Sequence, residues 1–294
     1  MTVRSKLSAL WAVATALTVV ATPAASAQPA PPVVAPAPAW STDAPGWSWQ
    51  RTADGVVYDS PRGQFVVPSR TDGGRSINDE HLAHGGGRGA LGYPIDTVRA
   101  DVRDPFLGER TYQRFERGIV YAGPLTATTF NSSAIARFHQ ANGGGGGWLG
   151  YPWKGEIREG YQHWYQEFAT GYVYSSPAGT YATHGSVQSL HNSLGGGGGP
   201  IGYPTGRDTV QGHDYRFQTF ERAIIYCLPS AYPDVPQCSA VSGAIRDAHN
   251  ANGGGTGSLG YPKQDQAYVG NGTWWQLFER GSIYVSATGV TITR

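Results

Sequence analysis

The stretch GGGGGWLGYP, residues 143–152, has the look of a flexible linker, yet the chain carries four versions of it. GGGRGALGYP stands at 85–94, GGGGGPIGYP at 195–204 and GGGTGSLGYP at 253–262. A linker has no reason to end each time in Leu or Ile, Gly, Tyr, Pro. The tetrapeptide glycines, Gly92, Gly150, Gly202 and Gly260, recur at intervals of 52 to 58 residues. Such a period marks an array of supersecondary units, none of which can bury its apolar face alone.

Working outward, a second pattern occurs five times: WQRTADGVVY (49–58), YQRFERGIVY (112–121), YQEFATGYVY (165–174), FQTFERAIIY (217–226) and WQLFERGSIY (275–284). Its apolar and aromatic content around a central Gly predicts a β-hairpin with a tight turn near that Gly. A third short strand is expected after each hairpin, as at Gln64–Val67, Thr126–Phe130 and Val290–Thr293. The first copy has Thr52 where the others have Phe, as terminal repeats often degenerate. Between the third strand and the glycines, the pairs Ile77/His81, Ile135/His139, Val187/His191 and Ile245/His249 have i, i+4 spacing, one face of a short helix. Gly then ends the helix, because it tolerates a left-handed cap. Tyr before Pro is pushed to extended geometry. Each Leu-Gly-Tyr-Pro is therefore read as a joint between one unit and the next hairpin.

Residues 1–27 read as a signal peptide, with Arg4 and Lys6, an apolar stretch from Leu7 to Val20, and Ala25-Ser26-Ala27 for cleavage. No membrane span is expected after cleavage. Residues 28–46 are a Pro/Ala-rich linker, and 47–294 form the repeat domain with five hairpin units and four joints. The formal net charge is +1 over 294 residues, which argues against nucleic acid or an anionic membrane as the main partner. A monomer is expected. Export makes a disulfide the default reading of Cys227 and Cys238, closing a loop of about 12 residues for roughly 3 kcal/mol.

Catalytic signatures are missing. There is no Gly-x-Ser-x-Gly and no His-Glu-x-x-His, and no Lys-Ser/Thr follows the glycines. Glu116, Glu221 and Glu279 recur one per hairpin, whereas a glycosidase pair is a single asymmetric site. No enzyme activity, cofactor or metal is expected, a wall-active hydrolase being the minor alternative. The four helical histidines are read as packing under the glycine loops, with metal binding or pH sensing as the other possibility. The chain is 12% aromatic, with 9 Trp and 17 Tyr, and Gln50, Gln113, Gln166, Gln218 and Gln276 each follow an aromatic. Aromatic faces flanked by amides and carboxylates suit sugars. Most hairpin aromatics are expected in the core, with a minority lining clefts. A weak sugar site is expected near each joint, formed by Tyr93, Tyr151, Tyr203 or Tyr261 with a neighbouring Gln113, Gln166, Gln218 or Gln276 and Glu116, Glu221 or Glu279.

The glycine run, the LGYP tetrapeptide and the FERG-x-IY hairpin together resemble the LGFP repeat, found in exported proteins of mycolate-bearing actinobacteria. The likeness covers roughly residues 47–294, with Tyr in place of Phe in all four tetrapeptides and Ile201 once in place of Leu. It implies a β-rich fold with short helices, a tandem array closing into a pseudo-fivefold, propeller-like ring. It also implies a secreted, wall-associated, non-catalytic module, alone or appended to mycoloyltransferases, that binds cell-wall polysaccharide of the arabinogalactan or peptidoglycan type. Docking of an exported wall enzyme is the alternative. The copy at 165–174, with Ala169-Thr170 for Glu-Arg, is expected to be impaired if that pair touches ligand.

Overall fold

Each hairpin pattern folds into a four-stranded antiparallel sheet, one strand more than the sequence predicts. The computed structural model describes residues 39–69, 75–100, 110–123, 125–211, 215–228 and 238–294. The signal peptide, the linker up to 38 and the residues between the cysteines from 229 to 237 lie outside them. The first sheet is β1 (Ser41–Ala44), β2 (Trp47–Thr52), β3 (Gly55–Ser60) and β4 (Gly63–Pro68), followed by α1 (Ile77–Ala83). The second is β5 (Arg99–Ala100), β6 (Thr111–Phe115), β7 (Gly118–Ala122) and β8 (Ala127–Phe130), with α2 (Ala134–Ala141). The third is β9 (Ile157–Gly160), β10 (His163–Glu167), β11 (Gly171–Ser176) and β12 (Gly179–His184), with α3 (Gly185–Ser193). The fourth is β13 (Thr209–Gln211), β14 (Tyr215–Thr219), β15 (Ala223–Cys227) and β16 (Cys238–Ser242), with α4 (Gly243–Ala251). The fifth is β17 (Ala267–Gly270), β18 (Thr273–Phe278), β19 (Gly281–Ser286) and β20 (Gly289–Thr293).

Every sheet is a meander in chain order, and among the described residues the five sheets are separate and form no closed barrel. The expected third strands appear as β4, β8 and β20. The additional strand is the first of each sheet. These strands are short and largely exposed, as in IREG and TVQ, so they carry no period-2 apolar pattern. β1 also moves the start of the first sheet back to Ser41, inside the stretch read as linker. In the second and fifth hairpins the tight turn is the Glu-Arg pair itself, Glu116-Arg117 and Glu279-Arg280, and the Gly opens the next strand.

The cores lie between sheets. One cluster combines Val56, Tyr58 and Val67 of the first sheet, Ile77 of α1, Leu91 and Tyr93 of the joint, and Phe115 and Val120 of the second sheet. Another joins Ile224, Tyr226 and Val241 to Leu259, Tyr261, Phe278 and Ile283. Fully burying a Leu or Phe contributes about 1.5–3 kcal/mol, and here that gain requires two successive units.

The glycine run is an ordered turn. Gly85, Gly143, Gly195 and Gly253, each one residue past a helix cap, have φ between +89° and +94°, the left-handed stop expected. In three joints a 3-10 turn follows, at Gly86–Arg88, Gly144–Gly146 and Gly254–Thr256. The tetrapeptide then lies along the next hairpin turn. In the second unit the Arg117 N–H donates to Leu91 O at 2.9 Å and the Glu116 N–H to Tyr93 O at 3.0 Å. The same two bonds recur at the other three joints, from Ala169 and Thr170, Glu221 and Arg222, and Glu279 and Arg280. The Cys227–Cys238 disulfide is formed, between directly opposed residues of β15 and β16.

Candidate functional site

The recurring polar residues serve the joints. His81, His139, His191 and His249 are fully buried, and each Nε2 faces the carbonyl of Gly92, Gly150, Gly202 or Gly260 at 2.9, 2.8, 3.0 and 2.9 Å. A carbonyl only accepts, so Nε2 carries the proton and donates. Each ring packs on the Phe of the next hairpin, with His81 and Phe115 centroids 4.4 Å apart. A hairpin Tyr stands edge-on to it. Burial pushes all four imidazoles below their ordinary pKa, against the opposing pull of the glycine carbonyl. This is the packing role expected for them.

Gln113, Gln166, Gln218 and Gln276 are also fully buried. Each Nε2 donates to two carbonyls. One is two residues past the tetrapeptide Pro, at Asp96, Lys154, Gly206 or Gln264. The other is on the last strand of the preceding sheet, at Val66, Thr128, Ala182 or Ala240. The amide thus staples consecutive sheets. Tyr93, Tyr151, Tyr203 and Tyr261 are only 5–7% exposed. Tyr93 stacks on Trp47 at 4.2 Å, Tyr261 on Tyr215 at 3.8 Å, and Tyr203 leans on His163 at 4.5 Å. Arg110 lies 5.3 Å from the ring of Tyr151. The structure thus places these glutamines and tyrosines in the packed joints, with little of their surface exposed.

Glu116 and Glu221 sit exposed and Glu279 half-buried at the turn, and Glu116 and Glu279 accept from the N–H of Tyr93 and Tyr261 at 3.3 and 3.4 Å. The adjacent Arg reaches back to the glycine run. The Nε groups of Arg117, Arg222 and Arg280 donate to Ala90, Pro200 and Ser258 O. In the copy with Ala169-Thr170, the Thr170 hydroxyl donates to Trp148 O at 2.6 Å, the same carbonyl position. That copy keeps its latch to the glycine run. The other irregular copy is also compensated. Leu91, Leu149 and Leu259 press a Cδ2 toward the hairpin Gly, at 2.6, 3.5 and 2.9 Å from where a Cβ would be. The fourth copy has Ile201 and Ala223 instead, a reshaped pair in one cluster.

What the joints leave open is a cleft, and it recurs at three consecutive junctions. Each is bounded by a helix-end residue of one unit (His84, Asn142, Leu194), and by the last strand of the next unit (Thr128, Ala182, Ala240). The third boundary is the residue four after the following tetrapeptide Pro (Glu156, Asp208, Gln266). Three successive units therefore build each one. Their volumes are about 800, 350 and 520 Å³ in chain order.

Their walls differ. The first has the indole of Trp164 with Ser132, Ser133, Gln162 and Glu156. Burial raises the Glu156 carboxyl above the ordinary carboxylate range, partly offset by the hydrogen bond from Ser133. The second has Trp148 and Phe138, with His184 3.0 Å from Asp208. Burial works to raise the Asp208 carboxyl, but hydrogen bonds from His184 and Arg216 outweigh it and hold it low. The third has Trp274 with Arg222, Arg246 and Asp265. Trp148, Trp164 and Trp274 are 45, 37 and 44% exposed, which leaves ring surface for a ligand. Trp164 and Trp274 each stand two residues before a buried Gln, so strand alternation places them on the same sheet face as that Gln's side chain and at the junction. That spacing is the signal sequence reading passed over. Among the described residues, no group of three or more His, Cys, Asp or Glu could hold a metal, and no helix is long and apolar enough to cross a membrane.

Residues 259–294 match the family model of the LGFP repeat. No curated protein is matched. Among solved structures, the extracellular domain of a one-component system from B. thetaiotaomicron is matched at 10% identity over 87% of this chain and 36% of that one. The TM-score is 0.17, at which the likeness carries no argument. The matched residues hold the last tetrapeptide and the last sheet and form an LGFP repeat, and the His, Gln and turn contacts made there recur at the three earlier joints.

Proposed function

We propose that the chain is an exported, non-catalytic module that attaches to cell-wall polysaccharide through its inter-unit clefts. The observation that carries this reading is the recurrence of one cleft, each with an exposed tryptophan, at three consecutive junctions. A polymer presents the same sugar many times, and linked engagement of weak sites raises avidity by about 10²–10⁴ without a better contact at any one. An indole face beside hydroxyl, amide and carboxylate groups is a surface that suits a sugar ring. The reading includes a pseudo-fivefold, propeller-like closure of the five units, supported by the likeness of the four joints. It also includes a wall location, supported by the repeat family and the leader-like N-terminus.

The test is retention of the mature chain on delipidated, protein-free wall polysaccharide. Replacing one of Trp148, Trp164 or Trp274 by Ala should weaken retention in part, and replacing all three should weaken it steeply. Unchanged retention in the triple variant, with the fold intact by circular dichroism, would refute the cleft reading. Capture of the chain by wall enzymes and not by polysaccharide would favour a docking role.

A further inference from the structure

Resting on that reading, we infer that the first cleft is a subsite for an uncharged sugar unit, with Glu156 as the residue that sets this preference. The three clefts share a frame but differ in charge. In the first, Glu156 lines the cavity beside Trp164, and Ser133 donates its hydroxyl to that carboxylate. Ser133 also accepts from the N–H of Ala136 as the cap of α2, which fixes the hydroxyl and so the carboxylate. The nearest bases are otherwise engaged. His84, which also lines the cleft, lies 3.2 Å from Glu80, Arg137 Nη1 donates to Ser132 O at 2.6 Å, and Arg158 lies over the Trp164 ring at 5.7 Å. A half-buried carboxylate accepts hydrogen bonds from sugar hydroxyls, and it repels a second carboxylate or a phosphate in the same low-dielectric space.

The backbone supports the assignment. Gln162, which also lines this cleft, has φ +59°, the left-handed region that a non-glycine residue rarely occupies. The equivalent turn of the fifth sheet takes positive φ at Gly270, Asn271 and Gly272, residues that tolerate it. A Gln held in that conformation is strained, and such strain collects at ligand sites. Its consequence here is a planar amide at the cleft beside Trp164 and Glu156, the set of groups that reads ring hydroxyls. The third cleft is lined by Arg222 and Arg246, whereas the lining of the first holds neither Arg nor Lys and has His84 paired with Glu80, so the preference belongs to the first cleft and not to the whole array.

The test uses short arabinogalactan oligosaccharides and the same oligosaccharides with primary alcohols oxidised to carboxylates. The readout is the Trp164 indole N–H resonance, assigned by its loss in Trp164→Phe, which reports the first cleft alone. The neutral form should shift that resonance saturably and bind at least about tenfold more tightly than the oxidised form, the scale of one like-charge juxtaposition. Glu156→Gln should bring the ratio below about threefold, as the amide removes the charge and keeps the size. Oxidised sugar binding as well as neutral sugar, or an undiminished ratio in Glu156→Gln, would overturn the inference. So would a resonance unmoved by either form; if wall polysaccharide is still retained, the fault lies with this cleft and not with polysaccharide attachment.

Discussion

Lowering the pH should weaken the whole array, because four neutral histidines hold its four joints. His81, His139, His191 and His249 are buried between Phe and Tyr rings, and each spends its Nε2 proton on a glycine carbonyl. Burial lowers their native pKa below the ordinary 6.5. The unfolded chain then binds more protons than the native one below pH 6.5, so stability falls as pH falls through that value. Each excluded proton is worth about 1.4 kcal/mol per pH unit. If the native rings stay neutral, four of them cost about 5 kcal/mol between pH 7.5 and 5.5. Glu156, whose carboxyl is raised, opposes this, but as one group titrating from nearer 4.5. Asp79 and Asp208, held low, contribute only around and below their ordinary 3.8. Urea melts across this range should therefore show the midpoint dropping steeply with acid, and His139→Gln should reduce the slope by about a quarter. A midpoint that stays level from pH 7.5 to 5.5 would refute the account of the joints.

Three further outcomes follow from the joint geometry. Gly150→Val should destabilise the chain by about 1–3 kcal/mol in urea, since φ is +70° and a Cβ would lie 2.9 Å from that of Ala169. An unmoved midpoint would show that the joint yields. Gln218→Leu should cost about 1–3 kcal/mol by leaving the buried carbonyls of Ala182 and Gly206 without their donor, and equal stability would remove the staple from the argument. Ile201→Leu should cost about 1–3 kcal/mol by driving a Cδ at Ala223, and adding Ala223→Gly should restore most of it. Additive losses in that cycle would mean that the two departures do not compensate.

The period, the five hairpins, the short helices and the glycine stops were legible because each is a local rule repeated. The i, i+4 pairing of Ile or Val with His, the Gly after the helix and the extended Tyr before Pro depend on a few neighbouring residues, and repetition separates them from chance. The Cys227–Cys238 bridge was legible too, since export leaves two cysteines one natural partner. The first strand of each sheet was not. Strands such as IREG and TVQ are exposed edges whose existence depends on backbone bonds to a neighbour and not on their own side chains. Nor could the sequence tell a Gln that reads a sugar from a Gln that ties two sheets, because the same amide serves either purpose. Only the tertiary structure fixed that choice, by placing carbonyls from two units within reach of Gln113, Gln166, Gln218 and Gln276. It also moved the candidate site from the recurring tyrosines to Trp148, Trp164 and Trp274. Those clefts take walls from three successive units, and a surface assembled from residues as far apart as His84 and Pro177 has no pattern within any one repeat.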